Sequence, residues 1–211
     1  VPPTKAELED TVAAVVADQS LKPYRDKISK GPLVKTPPKP GKVVSESEDA
    51  VLGTVQWTLS NGVRVFVKAT DFEDNRVSFS SWRWGGVSNA SDDDFWSAMA
   101  AGSLASLSGV GPFDPITLPK RLVGMHAQAS LGIDDMAVAL SGSAALADLK
   151  TMFELLWLRA TTSRIDKDAF ERYRAKRMES ARNREANPST AFYDTFYRLL
   201  WSDHLRSRPQ T

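Results

Sequence analysis

The segment Trp57–Lys68 constrains the fold most strongly, because it predicts a β-hairpin. Apolar and polar residues alternate on both sides of Asn61-Gly62, as they do in strands with one covered face. Asn-Gly tolerates a positive φ at both central positions of a tight turn, which makes it the strongest short hairpin signal in a sequence. The segment predicts an antiparallel strand pair but does not by itself identify the fold.

The residues after the hairpin predict a third strand and a helix. The polar loop Asp71–Asn75 leads into Arg76–Trp84, which is rich in aromatic and β-branched residues. Gly85-Gly86 ends this strand and is interpreted as a turn. A helix is then predicted over Ser91–Leu107, with an acidic first turn that suits the positive end of the helix dipole.

The remainder of the chain predicts a short helix, two strands and three longer helices. The predicted bounds are 114–124 for the short helix, 126–132 and 136–142 for the strands, and 143–160, 166–186 and 189–201 for the longer helices. Ser143 is expected to cap the first long helix, whose apolar stripe is Leu146, Leu149, Phe153 and Leu156. Strands in a run with helices grouped behind them predict an α+β domain, a mostly antiparallel sheet with helices packed on one face.

The N-terminal part differs in composition from the rest. Thr4-x-x-Glu7 is a capping box and predicts a helix from Lys5 to Asp18. Five prolines interrupt Pro23–Gly41, which predicts an extended connector with little core of its own. We therefore expect residues 1–46 to be a helix plus linker, and the domain proper to begin near Ser47 and include residues 47–211.

Composition excludes several classes of protein. A charged fraction of 25% with a net charge of +1 argues against a dedicated nucleic-acid or membrane-surface protein. The absence of cysteine excludes disulfides, thiolate zinc sites and cysteine nucleophiles, and fits the cytosol and the periplasm equally well. No apolar run reaches the roughly 20 residues of a membrane helix, and there is no signal-peptide pattern at the N-terminus. Any export signal of the whole protein would lie outside this chain.

The order of these pieces resembles the insulinase/pitrilysin family of zinc metallopeptidases. The shared order is a W-x-L-x-N-G-x-x-V hairpin, a polar loop, a strand, Gly-Gly-x-Ser and a helix, followed by Ser108–Phe113, Leu140–Ser143 and Asp166–Phe170. The likeness covers Val55–Pro209 and is strongest to the third of the four homologous domains in bacterial two-half members. It implies an α+β metallohydrolase domain preceded by the inter-half linker. It also implies that this domain is truncated, since the family domain continues with a helix, a strand and a closing helix.

The resemblance also implies where catalysis would be expected. Active family members carry His-x-x-Glu-His on a helix, where two histidines bind zinc and the glutamate is the general base. The corresponding helix here is Ser91–Leu107, and Ala98–Ala105 contains neither histidine nor glutamate. We therefore expect no catalytic, cofactor-binding or metal-binding residue in this chain, and zinc in a catalytic domain elsewhere in the whole protein.

Other candidate residues favour structural interpretations. His126 and His204 are the only histidines and lack partners at ligand spacing, so paired or surface roles are favoured. Asp92-Asp93-Asp94 is interpreted as helix capping rather than a cation site. Trp82 and Trp84 share one face of a strand, which predicts core packing, with an exposed pair that contacts peptide as the alternative.

The helix predicted over 166–186 carries interspersed charges. A solvated face is favoured over a phosphate-binding surface because the excess of positive charge is small. The seven basic residues are Lys167, Arg172, Arg174, Lys176, Arg177, Arg182 and Arg184, and the five acidic ones are Asp166, Asp168, Glu171, Glu179 and Glu185.

The leading hypothesis is a non-catalytic domain of a zinc-dependent peptidase that helps to enclose and bind a peptide substrate. Its partners would be the catalytic half of the same polypeptide and the peptide, with neither nucleic acid nor membrane. A periplasmic location is favoured, and a cytoplasmic one stays open. We also expect the isolated chain to self-associate through uncovered sheet edges and apolar faces. Two alternatives are a catalytically inactive binding or assembly subunit of the same fold, and an unrelated α+β binding domain.

Overall fold

The computed structural model describes residues 2–22, 31–184 and 186–208. The helices are α1 (Lys5–Ala17), α2 (Phe95–Leu107), α3 (Thr117–Arg121), α4 (Leu149–Thr161), α5 (Lys167–Arg182) and α6 (Pro188–Leu200). The strands are β1 (Val43–Asp49), β2 (Thr54–Leu59), β3 (Arg64–Val67), β4 (Arg76–Trp84), β5 (Ala127–Ile133) and β6 (Ala137–Ala145). Short 3-10 turns lie at Gly86–Asn89, Leu146–Asp148 and Leu205–Ser207.

The strands form two antiparallel sheets, not the single sheet that the sequence predicted. The hairpin sheet has the order β1-β2-β3, and the packed sheet has the order β4-β6-β5. Helices α4 and α2 pack against the packed sheet. The predicted fold class, antiparallel strands with helices on one face, is confirmed for that sheet.

The hairpin is present, but its turn differs from the expected Asn-Gly type. The N–H of Gly62 donates to the carbonyl of Leu59 at 2.8 Å, so Ser60 and Asn61 are the central turn residues. Among the described residues, Asn61 is not one of those with a positive φ, whereas Gly62 has φ +84°. This is a three-residue loop in which the third residue takes the left-handed conformation. Gly62 is therefore the one loop residue that needs the freedom of glycine.

The core lies between the packed sheet and α4. Met152 and Leu156 of α4 are buried against Ala144 of β6. Gly142 allows this approach, since a Cβ there would lie 3.0 Å from Cγ of Met152. A second buried cluster extends from Leu155 and Leu158 toward α3 and the α2–α3 loop.

The connector contributes to this second cluster. Leu33 and Val34 are buried against residues of α3, α4 and the loop between α2 and α3. The N–H of Leu33 also donates to Oε2 of Glu154 at 2.8 Å. The middle of the Pro-rich stretch is thus anchored in the core, while its residues 23–30 lie outside the described part. The boundary at Ser47 stays a prediction, although β1 begins four residues earlier, at Val43.

Two other expectations were wrong. Ser143 does not cap a helix but lies inside β6, and α4 begins only at Leu149 because a 3-10 turn intervenes. The predicted stripe is shifted as well: Leu146 and Phe153 are exposed, whereas the buried residues of α4 are Met152, Leu155, Leu156 and Leu158. Of the four predicted stripe residues, Leu156 is buried and Leu149 is partly buried against the core.

Candidate functional site

Helix α2 lies beside one edge of the packed sheet. It packs against β5 and α5, and Gly102 permits the close approach: a Cβ at that position would lie 3.6 Å from the Cβ of Ile133. The residues of α2 that face the resulting groove are small or apolar, without a carboxylate or imidazole: Met99, Gly102, Ser103, Ser106 and Leu107. This face of α2 offers no side chain that zinc prefers.

The start of α2 holds the acidic cluster that the sequence singled out. Asp92 accepts a hydrogen bond from Nε of Arg206 at 2.8 Å, and the guanidinium of Arg206 lies 5.1 Å from the ring centre of Phe95. Asp94 accepts from the hydroxyl of Ser91 at 2.8 Å and makes no side-chain cap bond to the helix. Asp94 thus occupies the N-cap position of α2 without a side-chain cap bond, and Asp92 makes an ion pair with the C-terminal turn.

The two histidines lie apart and are both exposed. His126 directly precedes β5, and its backbone N–H donates to the carboxylate of Asp148 at 2.7 Å. Nδ1 of His204 accepts from the N–H of Arg206 at 3.3 Å. Across residues 2–22, 31–184 and 186–208, no three His, Cys, Asp or Glu side chains form a group that could hold a metal ion.

A groove of about 790 Å³ is lined by residues of α2, β5 and α5. This volume is within the usual range of ligand-binding clefts. Its charged lining residues are Arg172, Lys176 and Arg177 of α5 and Asp134 at the end of β5. Arg172, Lys176 and Arg177 are exposed, as a solvated helix face predicts, and they also line this open groove.

Strand β5, which contributes Leu131, Gly132 and Ile133 to the groove, is an edge strand of the packed sheet. In the order β4-β6-β5, strand β5 pairs with β6 and with no other strand in the described part of the chain. Further along the same edge, Nε of Arg159 donates to the carbonyl of Ala129 at 2.8 Å. Burial lowers the pKa of Arg159 from its usual value. Arg159 thus caps this edge at Ala129, and Gly102 of α2 lies against it at Ile133.

The face of the packed sheet that points away from the helices is open and polar. Serines stand opposite one another across all three strands, and Oγ of Ser130 lies 2.7 Å from Oγ of Ser141. Trp82 and Trp84 lie on the same face and are 63% and 69% exposed, with ring centres 4.8 Å apart in an edge-to-face arrangement. The prediction of core packing for this pair was wrong, and the alternative of an exposed pair describes its position.

The sequence did not identify the groove. Residues 172, 173, 176, 177 and 180 recur at helical spacing on one face of α5, but their partner strand lies some 40 residues earlier in the chain. The only sequence signal was the recurrence of basic residues on that face of α5.

Comparisons with known proteins give consistent results. No family model matches this chain. It is 26% identical over 200 residues to a zinc protease PQQL-like protein of Arabidopsis thaliana, in an alignment that covers 94% of this chain and 18% of that protein. The crystal structure of the periplasmic protease PqqL from Escherichia coli matches with a TM-score of 0.74 and 19% identity, over 93% of this chain and 22% of PqqL.

A mutant of the ferredoxin protease FusC, in complex with Arabidopsis ferredoxin, matches with a TM-score of 0.73 and 20% identity. That match covers the whole of this chain and 23% of FusC. The chain thus spans about a fifth of the length of these relatives. It is homologous to a zinc protease and has the fold of the corresponding part of PqqL, which confirms the predicted resemblance to insulinase-type zinc peptidases.

The structure also bears on membrane insertion. No helix in the described part of the chain is long and apolar enough to cross a bilayer.

Proposed function

We propose that this chain is a non-catalytic domain, with its preceding connector, of a zinc-dependent peptidase. Residues 1–46 would form the helix and linker between two halves, and residues 47–211 would belong to the first domain of the second half. The role of this domain would be to help enclose and bind the peptide that another domain cleaves. The zinc would be held in that catalytic domain.

One observation carries the proposal: α2 lines a groove beside the edge strand β5, yet presents no metal ligand to that groove. A peptide-binding edge can be kept when the ligands are missing, because strand addition uses backbone groups. Homology to a zinc protease supports the peptidase context, and the short coverage supports a part of a larger protein.

The neighbours suggest a compartment and a type of substrate. PqqL is a periplasmic protease, and FusC is a ferredoxin protease crystallised with ferredoxin. A periplasmic peptidase acting on a polypeptide substrate is therefore the context that we favour.

The test compares this chain with the whole protein from the same gene. The 211-residue chain alone should hydrolyse no peptide and retain no stoichiometric zinc after dialysis. The whole protein should hydrolyse peptides, and a chelator should abolish that activity. Stoichiometric zinc in the chain that is lost on His126→Ala or His204→Ala would contradict the proposal.

The same comparison decides an alternative, a catalytically inactive binding or assembly subunit of the same fold. The lack of ligands on α2 is common to both functions, and the homology to a zinc protease favours the peptidase. A whole protein that binds polypeptides but cleaves none, and that lacks His-x-x-Glu-His, would support it.

We further propose that the isolated chain self-associates. Helix α6 exposes an aromatic and aliphatic face on which Phe192 and Phe196 stack with ring centres 6.3 Å apart. Exposed apolar faces of this kind recruit partners. Light scattering should show mass increasing with concentration, and a monomer at all concentrations would refute this point.

A further inference from the structure

Helix α6 and the turn after it, together called the strap (residues 188–207), are held to the chain by other contacts than α2 and α4 are. No residue of α6, all of which the structure describes, is buried, and only Thr190 and Asp194 are partly buried. By contrast, α2 buries Phe95 and α4 buries Met152. An isolated helix of 13 residues is marginal in water, so contacts other than apolar burial must keep α6 in place.

The end of the strap is fixed by Arg206, whose guanidinium contacts the start of α2 in three ways. Its Nε donates to Oδ1 of Asp92 at 2.8 Å, and its Nη2 donates to the carbonyl of Ala90 at 2.8 Å. Its Cζ also lies 5.1 Å from the ring centre of the buried Phe95. Hydrogen bonds from a charged donor are roughly twice as strong as neutral ones, and the ring adds a cation–π contact. Arg206 therefore attaches the end of the strap to α2 mainly by charge.

The chain between α6 and Arg206 adopts an unfavourable backbone conformation. Ser202 and Asp203 are consecutive residues in the left-handed region, with φ of +48° and +51°. Residues other than glycine disfavour this region, and they stay in it where surrounding contacts enforce it. The N–H of Asp203 donates to the carbonyl of Arg198 at 2.7 Å and closes this reversal of the chain. The contacts of Arg206 with α2 thus hold a turn that opposes them.

We propose that the strap is docked by charge and that its Arg206 end detaches from α2 when salt screens the contact with Asp92. The Asp92 side chain is 61% exposed, so ions in solution reach this pair readily. At the start of the strap, Nε of Arg184 donates to Oδ2 of Asp194 at 2.6 Å, and these side chains are only 33% and 21% exposed. That pair is screened less, so the strap would swing about its start and uncover Phe95. This conformational device goes beyond the proposed function and does not depend on it.

Hydrogen exchange followed by mass spectrometry on the 211-residue chain tests the proposal, because a detached α6 would lose the protection of its amides. The amides of α6 should exchange at least about fivefold faster in about 1 M sodium chloride than in about 0.01 M, since the Debye length falls from about 30 Å to about 3 Å. The amides of α4 in the same sample are the internal reference. Their exchange should change by less than about twofold, because α4 is held by apolar burial.

Two arginines near the end of the chain provide matched variants. Arg206→Ala removes the contacts with α2, and should accelerate exchange in α6 by about tenfold or more at low salt and abolish most of the salt effect. Arg208→Ala is the control, since Nη2 of Arg208 donates to the nearby Asp203 at 2.9 Å and not to α2. It should change exchange in α6 by less than about threefold, as expected for an exposed ion pair.

A second pair of variants identifies the partner on α2. Asp92→Asn removes the charge that pairs with Arg206, and should accelerate exchange in α6 by about threefold. Combined with Arg206→Ala it should add little, because both substitutions remove the same interaction. Asp93→Asn removes an equal charge from the next residue and should change exchange in α6 by less than about twofold.

Three outcomes would overturn the inference: an equal effect of salt on α6 and α4, equal effects within either pair of variants, or protection of α6 that rises with protein concentration. The last outcome would mean that a second copy of the chain, rather than Arg206, holds the helix. If Arg206→Ala does not fold, the salt series on the unaltered chain and the two aspartate variants decide the question. None of these measurements involves peptide hydrolysis by the whole protein, so the proposed function stands or fails separately.

Discussion

The two sheets of this chain have the same number of strands but differ in what covers them. In the hairpin sheet no residue of β1, β2 or β3 is buried. In the packed sheet, α4 covers one face, where its Met152 is fully buried, and α2 packs against β5. A strong local turn signal is thus sufficient to specify strand pairing, whereas stability requires a partner that covers a face.

The largest expected difference between the sheets is in native-state hydrogen exchange. Amides of β2 and β3 should exchange at least about a hundredfold faster than those of β5 and β6, because local opening of an uncovered sheet exposes little apolar surface. Exchange followed by NMR or mass spectrometry measures this. Equal protection in both sheets would mean that something covers the hairpin sheet in solution.

Core truncation should show the next largest difference. Met152→Ala removes a fully buried side chain and should reduce the free energy of unfolding by about 2–5 kcal/mol. Phe66→Ala in the hairpin sheet removes a side chain that is 61% exposed, and should cost less than about 1 kcal/mol. Urea denaturation measures the free energy of unfolding of both variants. Similar reductions in the two variants would contradict the distinction between the sheets.

The comparison also shows what the sequence could predict. The hairpin, most strand positions and the starts of α1 and α5 follow from local signals: a turn glycine, alternation, and the caps Thr4 and Asp166. Alternation in Arg76–Trp84 identified two faces but not which one the helices cover, so the exposure of Trp82 and Trp84 was missed. That choice depends on contacts between distant parts of the chain.

The same reason explains the parts of the site and the core that were missed. The burial of Leu33 depends on α4, more than 100 residues later, and a Pro-rich stretch gives no local sign of it. The absence of zinc ligands on α2 could be read directly from the sequence, because it concerns residue types. The groove could not be read this way, because it depends on how α5 and β5 come together.

Gly62 in the hairpin sheet and Gly86 beside the packed sheet both have a positive φ, so the same substitution can be compared in the two regions. A Cβ on Gly86, beside the packed sheet, would lie 2.1 Å from the carbonyl oxygen of Asp134. A Cβ on Gly62 would have no heavy atom of another described residue, apart from its chain neighbours, within 4 Å. Gly62→Ala should therefore reduce the free energy of unfolding by about 1–2 kcal/mol, because alanine must adopt the left-handed conformation there. Gly86→Ala adds displacement of the backbone and should cost roughly 3 kcal/mol or more. Equal shifts of the urea midpoint would show that the backbone near Asp134 yields easily.

The smallest expected effect concerns Asp114, in the loop that joins α2 to α3 within the packed region. The hydroxyl of Thr117 and the N–H groups of Thr117 and Ile116 donate to its carboxylate, and they hold its pKa below the usual range. A lowered pKa in the folded state contributes stability that is present above the ordinary Asp pKa of about 3.9 and is lost as the pH falls through the folded value. The urea midpoint of the unaltered chain should therefore exceed that of Asp114→Asn by a constant amount from about pH 5 to 8, and this difference should shrink below about pH 3.9. Thr117→Val, which removes the hydroxyl donor, should reduce the same pH dependence. A difference between the unaltered chain and Asp114→Asn that persists unchanged into strong acid would show that the carboxylate charge at Asp114 does not stabilise the packed region.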